Sequence, residues 1–158
     1  MEQQVVITKA AALKAHAEAD DQGKNLLENL IGKKVLFDRV QDRIKTFKDV
    51  CADQGKNPKD YILPAGSDQE EIAAMALKKV RLIARALNEE WKADFSNHNQ
   101  NKYYPWFKRS SSAGGFVCDD FDTWSTFTVV GPRLAFRSSE LAVYAGQQFP
   151  EIYNEFLN

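Results

Sequence analysis

Cysteine and histidine are scarce in this chain, and their scarcity limits the chemistry available to it. Among 158 residues there are two cysteines, Cys51 and Cys118, too far apart to form a metal-binding or redox motif. The two histidines, His16 and His98, have no acidic residue at a metal-ligand spacing beside them, and both are expected at the surface. The stretch "SSAGG" lacks the lysine of a phosphate-binding loop. We therefore predict a protein that is not an enzyme and that has no cofactor and no metal site.

The chain also lacks an excess of charge and a long apolar run. Its net charge is −1, with 21 basic and 22 acidic residues, so no global field attracts nucleic acid or anionic lipid. No apolar run approaches the roughly 20 residues that span a bilayer, and "MEQQVVITKA" does not resemble a secretory signal. These features predict a soluble, intracellular protein without a membrane partner. Two reduced thiols are favoured over a disulfide for such a protein.

Helical patterns dominate the first 95 residues. Thr8 to Ile31 is predicted to be helical, capped by Thr8, interrupted at Gly23 and closed by Gly32. A second helix is predicted from an N-cap at Asp38 to Gly55. Ser67 and Glu70 form the pattern of a capping box at the start of a long central helix that extends to about Phe95.

After residue 95 the pattern changes to short runs rich in aromatic and β-branched residues. Three such runs, Lys102–Lys108, Phe116–Trp124 and Thr126–Arg137, predict a three-stranded antiparallel β-meander, with 110–115 joining the first two flexibly. A terminal helix is predicted from Ser138 or Ser139, kinked at Pro150 and with Gly146 admitting another element closely. The fold class is therefore α+β. We predict one domain over residues 1–158, comprising an N-terminal helical appendage (1–37), a helical part (38–95), and the meander with its helix (96–158).

One segment combines aromatic and basic residues more densely than any other. It contains four aromatic and three basic side chains, namely Lys102, Tyr103, Tyr104, Trp106, Phe107, Lys108 and Arg109. Such interleaving is typical of a single-stranded nucleic-acid platform, on which bases stack and cations meet phosphates. It is equally typical of rings that fill the core of a small sheet. Core packing is favoured for most rings, while one face of the sheet remains a candidate surface for a protein partner or, weakly, for nucleic acid.

An acidic run, "CDDFD", is the one cluster that could hold a divalent cation. It contains Asp119, Asp120 and Asp122, and the last two share one face of a strand. A metal-dependent nuclease or hydrolase is thus a weaker hypothesis. Solvated acids that protect a strand edge are the favoured interpretation.

Several blocks of the chain resemble a known group of sequences almost from end to end. They include "ARALNEEWKADFSNHNQNKYYPWF" and "GPRLAFRSSELAVYAGQQF". These blocks are similar to those of an uncharacterised family of small proteins from tailed phages and prophages of gut Bacteroidota. Relatives usually have serine at Pro132, cysteine at Ala135 and no proline at position 150. The resemblance implies a phage-encoded accessory role in the host cytoplasm, with virion association left open, and it implies no catalytic residues.

We therefore expect a non-enzymatic interaction protein. It would act through an aromatic surface or self-associate through its N-terminal helix. Single-stranded nucleic-acid binding by the segment at 102–109 is the alternative.

Overall fold

The computed structural model describes residues 5–112 and 114–158 and has an α+β fold. Within those residues it contains eight α-helices and one two-stranded antiparallel sheet. The chain divides into two compact units, residues 1–43 and residues 44–158, and each is described by itself. No helix of the described residues is both long and apolar enough to cross a bilayer.

The first unit consists of short helices: α1 (Lys9–Glu18), α2 (Asp21–Ile31), α3 (Lys33–Leu36) and α4 (Val40–Arg43). The Thr8 hydroxyl caps α1 and Gly32, at φ 87°, ends α2, both as predicted. The predicted interruption at Gly23 is wrong. The chain breaks instead at Ala19 and Asp20, because the Asp20 carboxylate accepts the Gly23 N–H and starts a new helix there.

One histidine of this unit is better enclosed than the sequence predicts. The His16 side chain is only 15% exposed, and its Nε2 lies 2.9 Å from the Glu28 carboxylate. Its ring meets the Phe37 ring edge to face at 5.2 Å. His16 therefore has a structural position between α1 and α2. The prediction of a surface histidine was wrong here because an isolated helical pattern does not reveal which side chains a neighbouring helix will cover.

The second unit begins with α5 (Phe47–Asp53) and continues to α6 (Gln69–Asn88). A single helix from Asp38 to Gly55 does not form. Thr46 and Asp49 make a capping box instead, with the carboxylate accepting the Thr46 N–H at 2.9 Å. This local bonding starts α5 and ends the preceding turn.

Helix α6 is the long central helix that the sequence predicts, but both of its ends differ from the prediction. Its capping box uses Asp68 and Glu71, one residue later than the predicted pair. It ends at Asn88 rather than near Phe95, because Glu89 takes a left-handed φ of 55°. One face of α6 is buried and supplies much of the core, including Ala76, Val80, Leu82, Ile83, Ala84, Ala86 and Leu87.

The sheet has two strands, β1 (Lys102–Ser110) and β2 (Gly115–Trp124), where three were predicted. The connection that was predicted to be flexible includes Ala113, which lies outside the described residues. The strands pair from Lys102 opposite Trp124 to Ser110 opposite Gly115, with an irregularity where β2 inserts Asp119.

The third predicted strand is replaced by irregular backbone. The Thr128 hydroxyl accepts the N–H groups of Val130 and Gly131, at 3.1 and 2.8 Å, so these donors are not available to a strand ladder. Gly131 then adopts φ 76°, which an extended strand does not use, and a 3₁₀ turn follows from Pro132. A single bridge remains, between Phe136 and Tyr103, and it lies on β1 rather than beside β2 as a meander requires.

Two helices complete the unit: α7 (Ser139–Gln148) and α8 (Pro150–Leu157). Ser138 caps α7. Pro150 does more than kink the helix, because it begins a new one after Phe149 leaves helical geometry. Helix α7 contacts both strands, and Gly146 permits this approach as predicted, since a Cβ there would lie 2.5 Å from the Cys118 Sγ.

Candidate functional site

Lys102, the first residue of the predicted site, is fully buried. Its ammonium group donates to three backbone carbonyls, those of Asn97 at 3.1 Å, Gln100 at 2.6 Å and Ser125 at 2.7 Å. The nitrogen also lies 5.1 Å from the centre of the Phe95 ring. Lys102 thus joins the loop before β1 to the turn after β2, and it has no donor left to meet a phosphate. Its assignment to a nucleic-acid surface is not supported by this geometry.

The two tyrosines of the segment point to different environments. Tyr104 is buried, and its hydroxyl donates to the Thr128 Oγ1 at 3.0 Å. Burial raises the pKa of this phenol, and the nearby Asp122 carboxylate raises it further. Tyr103 is half-buried and packs edge to face on Phe121 at 5.6 Å. Tyr104 is therefore a core residue that fixes the irregular segment after β2.

Trp106 is the ring of the segment that solvent reaches most, at 57% exposed. The expectation that most of these rings are core residues therefore does not hold for Trp106. Phe107, its neighbour, is half-buried and contacts Tyr153 of α8 with ring centres 4.9 Å apart. Phe107 therefore packs on α8, whereas much of the Trp106 ring is open to solvent.

The cations at the end of β1 are exposed. Lys108 is paired with Asp119 across the strands at 2.6 Å, and the Arg109 guanidinium lies 6.0 Å from the Phe116 ring. Arg109 is thus the cation of segment 102–109 that is exposed and makes no ion pair with a described residue, although its guanidinium lies against Phe116. With Lys102 buried and Lys108 paired, the segment is a poor polyanion site.

The three aspartates of β2 do not converge. Asp119 pairs with Lys108, whereas the carboxylates of Asp120 and Asp122 accept the N–H of the next residue, at 2.9 and 2.8 Å. Within residues 5–112 and 114–158 no group of three histidine, cysteine or acidic side chains is placed to hold a metal ion. Acids bonded to backbone donors can protect a strand edge, and for these residues that interpretation stays a prediction.

An apolar surface surrounds Trp106 and contains a pocket of about 180 Å³. The pocket lies between β1, the irregular segment after β2 and the end of α8, and Tyr104, Phe107, Tyr153 and Phe156 are among its walls. We call its exposed rim the aromatic rim, consisting of Trp106, Trp124, Val129, Val130 and Leu157. Val129 is 95% exposed, and the adjoining Phe127 is 74% exposed. Contiguous exposed apolar surface of this kind marks interaction sites.

The charge at this pocket is negative. Among the described residues that line it, Asp122 alone is charged, and its carboxylate accepts the Trp124 indole N–H at 3.0 Å. Asp120 lies opposite Trp106 on the partner strand and has no ion pair with any described residue. The rim of the pocket is therefore apolar and acidic.

Sequence reasoning missed the contribution of residues 126–130 to this surface. The run "TFTVV" belongs to the third predicted strand, because it is rich in β-branched and aromatic residues. A signal was present, since Thr128 precedes Gly131-Pro132 and a threonine hydroxyl can bond nearby backbone donors. That bonding holds Phe127 and Val129 outside the sheet.

The two cysteines are free thiols, Cys51 buried and Cys118 half-buried. Burial raises the pKa of the Cys118 thiol, and the neighbouring carboxylates of Asp119 and Asp120 raise it further. A thiol with a raised pKa is a weak nucleophile at neutral pH. Cys118 is therefore a packing residue against Gly146.

Comparisons with protein-family models, with curated proteins and with solved structures return no match to this chain.

Proposed function

We propose that this protein is a non-enzymatic interaction protein whose second unit binds a protein partner through the aromatic rim and its pocket. The observation that supports this proposal is the exposure of Trp106, Val129 and Phe127 around a concave apolar pocket. Tryptophan at the centre of a pocketed apolar surface is the residue type most often dominant in protein interfaces. A phage-encoded accessory role, which the family resemblance implies, belongs to the same proposal.

The chemistry of the rim indicates what the partner presents. A pocket of about 180 Å³ with apolar walls suits a single large apolar side chain. Asp120 and Asp122 border the same surface without a cationic partner among the described residues. The partner segment is therefore an apolar anchor residue with a lysine or arginine beside it, which meets these carboxylates.

Selection from a random-peptide display library tests this proposal. The bait is the full chain, and the matched baits are Val129→Asp on the rim and Ile62→Asp, an exposed apolar residue of the same unit outside the pocket. We expect the wild type and Ile62→Asp to enrich peptides with an aromatic or large aliphatic residue next to a basic one, and Val129→Asp to lose them. Both variants change exposed side chains, so both should fold.

Two results would count against the proposal. One is enrichment of no common peptide pattern by the wild-type chain. The other is enrichment that Val129→Asp retains, because a carboxylate placed on the rim should oppose burial of an apolar anchor.

Self-association through the first unit is a second candidate, supported by a specific observation. Helix α2 exposes Leu26 and Leu30, which are one turn apart on one face, and Val35 of α3 is exposed as well. An apolar helix face of this type commonly pairs with another helix. Light scattering on a size-exclusion column distinguishes the two candidates: Leu26→Gln/Leu30→Gln should turn an oligomer into a monomer and leave peptide binding at the aromatic rim unchanged.

A further inference from the structure

A second concave surface lies on the other half of α6, and its lining is basic. This pocket, of about 650 Å³, is bounded by the C-terminal part of α6, the turn that follows it and the Gly131-Pro132 turn. We call it the basic pocket, and its cations are Arg81, Arg85, Lys92 and Arg133. Of the described residues that line it, none carries a carboxylate.

Among the residues that the structure describes, the four cations have no ion-pair partner. None of their side chains makes a hydrogen bond or ion pair within residues 5–112 and 114–158, whereas Lys79, Lys108 and Arg137 of the same unit are each paired with an acid. Arg81 and Arg85 are one helical turn apart, so their like charges repel each other across the same face of α6. Three acids lie close to these cations along the chain. Glu89 is held by Arg137 at 2.9 Å, Asp94 accepts the Ser96 hydroxyl at 2.6 Å, and the exposed Glu90 does not line the pocket.

The pocket is also held in a defined shape. The buried Asn88 side chain donates to the Ala135 carbonyl at 2.7 Å and accepts the Arg137 N–H at 2.9 Å. These bonds fasten the end of α6 to the segment that carries Arg133. The cations on the two sides of the pocket therefore converge on a common space without a ligand having to assemble them.

An aromatic ring completes the lining. Trp91 is half-buried in the wall of the pocket, next to Lys92, and its backbone N–H donates to the Asn88 carbonyl at 3.1 Å. Cations that are free to meet phosphates, together with a ring on which a base can stack, are the two components of a single-stranded nucleic-acid site.

We propose that the basic pocket binds single-stranded nucleic acid, with Arg81, Arg85, Lys92 and Arg133 contacting phosphates and Trp91 stacking on one base. The ligand class is the one that the sequence suggested for residues 102–109, but the residues are different. The aromatic rim has no part in it, so this site and the proposed protein-binding surface are independent.

Fluorescence anisotropy with a labelled oligothymidylate of roughly 12 nucleotides tests the proposal, because single-strand sites cover about 4 to 16 nucleotides. Four phosphate contacts predict a slope of about −2.8 in a plot of log affinity against log salt concentration. Arg81→Gln/Arg85→Gln should reduce the size of that slope by about 1.4 and weaken binding at least tenfold at about 50 mM salt. The matched control, Lys108→Gln/Arg109→Gln, removes two cations from the sequence-predicted site and should leave the slope and affinity unchanged.

Three outcomes would overturn the proposal. They are absence of binding at about 50 mM salt, equal binding by the wild type and Arg81→Gln/Arg85→Gln, and loss of binding in the Lys108→Gln/Arg109→Gln control. The same assay is repeated with a duplex of the same length. Duplex binding as tight as single-strand binding would refute the stacking role of Trp91. Replacing Trp91 by leucine should weaken single-strand binding and leave the salt slope unchanged, which separates stacking from charge.

Discussion

Replacing Lys102 by methionine should destabilise the second unit severely, because Lys102 is a buried cation that holds three carbonyls. A hydrogen bond to a charged group contributes about 1.5–3 kcal/mol, so the loss of all three bonds would lower the free energy of unfolding by at most about 4.5–9 kcal/mol. Asn97 is exposed and Gln100 and Ser125 are half-buried, so water replaces part of this bonding. We therefore expect a decrease of about 3–5 kcal/mol in the free energy of unfolding.

Urea denaturation followed by tryptophan fluorescence measures this change. Lys108→Met is the matched control, since it makes the same substitution in the same strand at an exposed ion pair, and it should cost less than about 1 kcal/mol. A loss below about 1 kcal/mol for Lys102→Met would refute the structural role assigned to this residue. It would also return Lys102 to consideration as a ligand-binding cation.

Three further substitutions and one chemical modification test other parts of the account. Trp106→Ala should cost about 1 kcal/mol or less, against about 3–5 kcal/mol for a buried tryptophan, and urea denaturation decides between the two. Gly146→Ala should cost about 1–3 kcal/mol by the same assay, since the new methyl group would collide with the Cys118 Sγ; an unchanged stability would contradict the close approach. Asn88→Ala should cost about 2–4 kcal/mol, because it leaves two backbone groups without a partner, and a loss within about 0.5 kcal/mol would argue that water replaces the amide. In a Cys51→Ala background, alkylation at about pH 8 should be slower for the folded chain than for the unfolded chain, because a raised thiol pKa lowers the thiolate fraction; equal rates would count against the raised pKa of Cys118.

Local signals in the sequence were sufficient to predict the α+β class and several helix ends. The helix caps form at the predicted residues, Thr8, Gly32 and Ser138, because a cap depends on residues within one turn of it. The same locality explains the errors at helix starts. The Asp20 and Thr46 side chains accept backbone N–H groups three residues later, and new helices therefore start inside the predicted ones. Hydrophobic periodicity does not reveal such side-chain bonds.

The sequence predicted which segment forms the candidate site, but it did not predict how the side chains of that segment are arranged. The sequence placed Lys102 and Trp106 together near β1, yet Lys102 is enclosed by carbonyls of the adjoining loop and of the distant Ser125, while Trp106 is exposed. The solvent exposure of these two side chains depends on contacts with Ser125 and with α8, which are far from them in the sequence. The basic pocket was missed for the same reason, because Arg81 and Arg133 are far apart in the chain and meet only in the fold.

Calorimetry can show whether the aromatic rim binds an apolar segment of a partner. A peptide enriched by the wild-type chain is titrated into the wild type, Val129→Asp and Ile62→Asp. The account predicts a negative heat-capacity change for the wild type, which indicates apolar burial, at least tenfold weaker binding by Val129→Asp, and wild-type affinity for Ile62→Asp. Equal affinity of all three proteins for the peptide would contradict it.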